Sequence, residues 1–78
     1  MVDERLLERI TVNPDAMVGK PTIRGMRITV EHIIYALAGG VSEEDLLADY
    51  PVLEPEDIRA ALAYAGMLVS EHRAYRIT

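Results

Sequence analysis

His32 and His72 are the two histidines of the chain, and each follows a glutamate, Glu31 and Glu71. Imidazole beside carboxylate is a pairing used for proton transfer or metal ligation. The two stand far apart in sequence, however, and neither belongs to an HxxxH or HExxH spacing. A metal site needs a third ligand at a workable distance, so solvated helix histidines and no metal are expected. Ser70 lies two residues from His72, which on a helix turns the two side chains to different faces. No nucleophile–base pair results. The chain has no cysteine, which excludes a thiol nucleophile, Cys-ligated zinc, an iron–sulfur site and a disulfide scaffold. Gly19-Lys20-Pro21-Thr22 echoes the end of a phosphate-binding loop. That loop needs a glycine where Pro14 stands and a hydroxyl residue where Pro21 stands. No catalytic residue and no cofactor are expected.

What remains is binding chemistry, carried by charge. The 78 residues hold 13 acidic and 8 basic side chains, for a net charge of −5. Such a balance argues against general nucleic-acid binding, which scales with the cations a protein offers. The distribution is uneven. Residues 18–30 contain Lys20, Arg24 and Arg27 and no acid. Residues 42–57 contain Glu43, Glu44, Asp45, Asp49, Glu54, Glu56 and Asp57 and no base. If DNA is bound, Lys20, Arg24 and Arg27 are the expected phosphate contacts, with Arg59 as a further cation. Glu54, Glu56 and Asp57 form the surface expected to meet a basic protein partner.

These groups must be positioned by one small domain spanning residues 1–78. Half of the chain is hydrophobic, yet it has no Phe and no Trp. The core is therefore built from Leu, Ile, Val, Ala, Met and Tyr. So short a chain buries only about 60% of the surface it exposes when unfolded, so self-association as a homodimer is expected. No apolar run reaches the roughly eighteen residues of a membrane span, and the N-terminus has no apolar signal region. The sequence reads as soluble and cytoplasmic.

Asp3 is a candidate N-cap for a short helical turn carrying Leu6 and Leu7. Ile10 and Val12 alternate with polar residues as a short strand, stopped by Asn13-Pro14. Residues 19–30 read as a tight hairpin turning at Arg24-Gly25, with Ile23 facing Met26 and Pro21 facing Ile28. A type II turn with Gly25 at its third position competes, and either form leaves Arg24 at an exposed tip.

Three helices should follow in residues 30–71. The first starts at the cap Thr29, carries Val30, Ile33, Ile34 and Leu37 on one stripe, and ends at Gly39-Gly40. The second is capped by Ser42 and stops before Pro51. The third opens with Pro55 and carries Ile58, Leu62, Ala65 and Val69 as its stripe, running to Glu71. Residues 1–29 thus form an N-terminal segment with a β element, and residues 72–78 a tail that is either a strand or frayed. The last two helices have the proportions of a helix-turn-helix. Glu54, Glu56 and Asp57 at the start of the second of them would be repelled by phosphates, so the hairpin is the better candidate for DNA contact. Ala60, Ala61, Ala63, Ala65 and Gly66 would let another backbone approach, either inside the fold or across a dimer contact.

The segments ITVNPDAMVGKPTIRGMRITV and AGGVSEEDLLADYPVLEPEDIRAALAYA resemble the small bacterial and archaeal family called domain of unknown function 433. Asn13-Pro14, Gly19-Lys20-Pro21, Arg24-Gly25 with Arg27, Gly40-Val41-Ser42 and Asp49-Tyr50-Pro51 carry the resemblance. Val18 stands where a second glycine is common in that family, and Met26 where a threonine is common. The resemblance implies a helix-turn-helix-like domain with an N-terminal β element. It also implies an antitoxin of the VapB type, encoded beside a PIN-like nuclease toxin.

The expected fold is α+β, mainly α: a three-helix, helix-turn-helix or homeodomain-like bundle with a short N-terminal β-hairpin element. The expected function is a non-enzymatic, antitoxin-like regulator that binds a PIN-like toxin and, as a dimer, double-stranded promoter DNA. The alternative is a protein-interaction module with no DNA role.

Overall fold

A computed structural model gives the structure of residues 4–71, with side chains described through residue 70. The tail at residues 72–78, His72 and the Asp3 cap lie outside the described residues. Helix α1 (Glu4–Leu7) leads into strand β1 (Ile10–Val12), and a 3₁₀ turn (Met17–Gly19) leads into strand β2 (Pro21–Ile23). Helices α2 (Val30–Ala38), α3 (Glu43–Asp49) and α4 (Pro55–Glu71) follow. The fold is α+β and mainly α.

The helix starts are set by side-chain caps. Thr29 Oγ1 accepts from the His32 N–H at 2.9 Å and Ser42 Oγ from the Asp45 N–H at 3.0 Å. Each satisfies one of the donors that a helix leaves open at its first turn. Ile23, Val30, Ile33, Leu46, Leu53, Ile58 and Ala61 form the buried core, so every element from β2 onward contributes to it. Helix α1 packs on α4, and α2 packs on both α4 and β2.

The hairpin differs from its sequence reading in register. The sheet is β1 paired antiparallel with β2, with Ile10 opposite Ile23, Thr11 opposite Thr22 and Val12 opposite Pro21. The chain does turn at Arg24-Gly25, whose φ values of 46° and 74° are both left-handed. Met26 N–H closes the turn on Ile23 C=O at 2.7 Å. These are the dihedrals of a type I′ turn, in which glycine suits the second central position. Beyond the turn, Ile23 N–H bonds Ile28 C=O and a single bridge joins Thr22 to Thr29. Pairing is thus displaced by two residues from the expected Ile23–Met26 and Pro21–Ile28 facing. The return limb cannot extend as a strand because Thr29 is already the cap of α2.

The stripe of α4 also differs. Ile58 is buried and Ala65 half-buried, but Leu62 and Val69 are 44% and 71% exposed. The inward line runs instead through Asp57, Ile58 and Ala61. A charged side chain, rather than Leu62, fixes the rotation of this helix.

Met17, Val18 and Gly19 are three successive left-handed residues, at φ 51°, 57° and 76°. Val18 is 94% exposed, so no packing compensates a β-branched residue in this conformation. A glycine relieves strain of about 1–2 kcal/mol but adds unfolded-chain entropy of about 0.4–1 kcal/mol. Val18→Gly is therefore expected to raise stability by about 1 kcal/mol in a thermal melt. An unchanged or lower melting temperature would show the turn to be unstrained.

Candidate functional site

Helix α4 begins where three segments of the chain meet at one carboxylate. Asp57 is the third residue of the helix, and its Oδ2 accepts from the Glu54 N–H at 2.8 Å. This is the reach-back half of a capping box, with aspartate in the usual place of glutamate. Arg24, at the tip of the hairpin, donates to the same group through Nε (3.0 Å to Oδ1 and 3.3 Å to Oδ2) and Nη2 (2.7 Å to Oδ2). Its Nη2 also reaches the Val52 C=O at 2.8 Å. Arg9, just before β1, donates through Nη1 to Asp57 Oδ1 at 2.9 Å and Glu54 Oε1 at 2.7 Å. The Arg24 N–H and Arg9 C=O are themselves bonded at 2.7 Å. Asp57 is completely buried by these partners.

The cluster corrects two sequence assignments. Asp57 cannot form part of an exposed acidic surface, because its oxygens are enclosed and saturated by donors. Arg24 is not a free phosphate ligand, because the fork geometry that would take a phosphate already takes a carboxylate. Two guanidiniums balance the two carboxylates of Glu54 and Asp57, so the start of α4 lacks the bare negative charge implied by the sequence. Glu56 is half-buried and lies 3.5 Å from Arg59 one turn on. Lys20 Nζ is bonded to Glu31 Oε1 at 2.6 Å. Of the four cations nominated for DNA, Arg27 alone has no carboxylate partner among the described residues.

Arg9 was not nominated from the sequence. Its signal is a basic residue immediately before a strand, next to an unassigned partner strand, and local spacing gives that little weight. Burial pushes the Asp57 carboxyl up, but bonds from Arg24, the Glu54 N–H and Arg9 outweigh it and hold the group below its ordinary value. A saturated, ionised carboxylate is a poor general base. Among the described residues, no group of three or more His, Asp and Glu is placed to hold a metal ion.

Two depressions flank α2. On one side lies a cleft of about 220 Å³ lined by Met17, Arg27, Ile28, Thr29, His32 and Tyr50. Here His32 is more than solvated: its Nε2 is 2.9 Å from Tyr50 Oη, and the rings meet edge-on with centroids 5.6 Å apart. On the other side an apolar groove of about 260 Å³ runs between α2 and α4, with Pro21, Ile34, Tyr35, Tyr64, Ala65 and Leu68 in its walls. Tyr35 is 69% exposed and Leu68 43% exposed. No helix among the described residues is long and apolar enough to cross a membrane.

The class is thus a small, mainly helical domain whose last helix is clamped to a β-hairpin by an Arg–Asp–Arg cluster. The chain belongs to the family described as protein of unknown function DUF433, whose model matches residues 10–65. The crystal structure of a member of that family from Anabaena variabilis is similar, with a TM-score of 0.77 and 31% sequence identity. The likeness covers 87% of this chain and 67% of that one. The uncharacterized protein y4eO of Sinorhizobium fredii is 40% identical over 58 residues, or 74% of this chain. The match spans only 26% of that relative's length.

Proposed function

We propose that this domain is a non-enzymatic, antitoxin-like regulator that holds a protein partner in the apolar groove between α2 and α4. The observation that carries the proposal is that groove. Side chains as large as Tyr35 and Leu68 stand exposed along it. Contiguous exposed apolar surface of this kind is a mark of protein contact sites. The resemblance to antitoxins encoded beside nucleases makes a PIN-like toxin the proposed partner.

Self-association has its own surface. Ala60 and Ala61 are fully buried inside the fold, so they belong to internal packing. Gly66 instead faces open space between the exposed Leu62 and Val69. That i, i+4, i+7 line is the proposed homodimer contact.

The second reading, an interaction module with no DNA role, is favoured by the internal pairing of Lys20, Arg24 and Arg59. Co-expression with the product of the neighbouring reading frame, followed by size exclusion with light scattering, tests the first reading. A stable complex containing a dimer of this chain is expected. Separate elution of the two products would overturn the toxin proposal. Adding duplex DNA from upstream of the gene then separates the readings, since an interaction module leaves its elution unchanged.

A further inference from the structure

We propose that the cleft between the hairpin, α2 and the end of α3 is a phosphate-binding pocket, with Arg27, His32 and Tyr50 as its ligands. The inference goes beyond the partner groove proposed above: it supplies the contact that a DNA role of the antitoxin-like reading would need, and it is independent of the toxin. Its first support is charge. The chain carries 13 acidic side chains, yet no carboxylate among the described residues lines this cleft. Arg27 is exposed, reaches it, and has no carboxylate partner among the described residues. The neighbouring cations Lys20 and Arg24 are both paired internally, so of the hairpin's three cations Arg27 is the one without a carboxylate partner among the described residues.

The second support is the supply of donors. His32 and Tyr50 share one hydrogen bond at 2.9 Å. An imidazole and a phenol have at least two hydrogens between them, so at least one is not used in their shared bond, whichever tautomer forms it. Thr29 Oγ1 accepts from the His32 N–H, which leaves its hydroxyl hydrogen to donate as well. An arginine fork with two further donors suits a group with three or four acceptor oxygens. A carboxylate would be satisfied by the arginine alone. The third support is shape. About 220 Å³ is more room than a bare phosphate fills, and Met17 and Ile28 give the remainder an apolar wall. That combination fits a phosphate ester, whether a backbone diester of a nucleic acid or a free nucleotide.

The test is a ¹H–¹⁵N NMR titration with three probes, namely inorganic phosphate, adenosine monophosphate and a short DNA duplex. Wild-type protein is compared with Arg27→Ala and Tyr50→Phe. Expected shifts centre on Arg27, Thr29, His32 and Tyr50, with at least tenfold weaker binding in Arg27→Ala and severalfold weaker binding in Tyr50→Phe. Retained spectral dispersion shows that each variant is folded, and Arg27→Lys should restore part of the affinity. Binding of the duplex in preference to the monophosphate identifies the ligand as a nucleic-acid backbone. Its salt slope should then flatten by about one unit in Arg27→Ala, the value for one phosphate contact. Binding of the monophosphate and not the duplex identifies a free nucleotide. No shift at these residues with any probe, or affinity unchanged in Arg27→Ala, would overturn the proposal. Because no partner protein is present, failure here leaves the toxin proposal standing, and failure to form a toxin complex leaves the pocket standing.

Discussion

Replacing Asp57 by alanine is expected to destabilise the fold by about 3 kcal/mol, a large share of the roughly 5–15 kcal/mol that small domains possess. The carboxylate is completely buried, and it joins the hairpin tip, the residue before β1 and the start of α4 through Arg24 and Arg9. Its loss leaves the Arg24 guanidinium with only the Val52 C=O and that of Arg9 with only Glu54, and removes the reach-back bond to the Glu54 N–H. For a domain of this size the melting temperature should fall by about 15 °C. Arg24→Ala should add little further loss in the Asp57→Ala background, because the shared interaction is already gone. Full additivity of the two substitutions would show that they act separately.

Acid provides an independent check on the same carboxylate. Its folded pKa lies below the ordinary aspartate value of 3.8, so the unfolded chain binds its proton first as pH falls. The stabilisation is therefore complete well above 3.8 and is lost as pH drops through the folded value. The gap between wild type and Asp57→Ala should stay constant above about pH 5 and narrow below it. A gap unaffected by acid would make the effect one of packing alone.

Much of this fold was legible because its determinants are local. Thr29, Ser42 and Pro55 start helices where their chemistry requires, and Gly39-Gly40 and Pro51 end them. What the sequence concealed depends on contacts between distant residues. Asp57 belongs at once to an acidic run, to a helix first turn and to an ion pair with Arg24, 33 residues earlier. Only the first two can be read from spacing. The rotation of α4 follows from the third, which explains why the apolar stripe through Leu62 and Val69 was misplaced. Lys20 and Arg24 are engaged within the fold for the same reason, since their partners Glu31 and Asp57 lie on helices that spacing cannot bring near. Val18 was visible as a departure from the family's glycine, and its left-handed backbone gives that departure a physical meaning.

Tyr35→Ala and Leu68→Ala are each expected to weaken the partner complex by about 2 kcal/mol, roughly thirtyfold, while leaving the free domain nearly as stable as before. The two effects separate because the two environments differ. Tyr35 is 69% exposed in the free domain, so truncation there removes little that the fold uses, and the change in stability should stay within about 0.5 kcal/mol. In a complex the same ring would be desolvated between α2 and the partner, where a rigid aromatic contributes large area at low entropic cost. Leu68 lies farther along the groove on α4 and gives a second point on the same surface. The loss should appear mainly as faster dissociation, because neither substitution alters the charge that steers encounter. Glu56→Gln is the contrasting case. If a basic partner also meets this helix start, its effect should fall on the association rate and shrink at high salt. Groove variants that bind as tightly as wild type would place the partner elsewhere, with the Leu62–Gly66–Val69 line as the next surface to test.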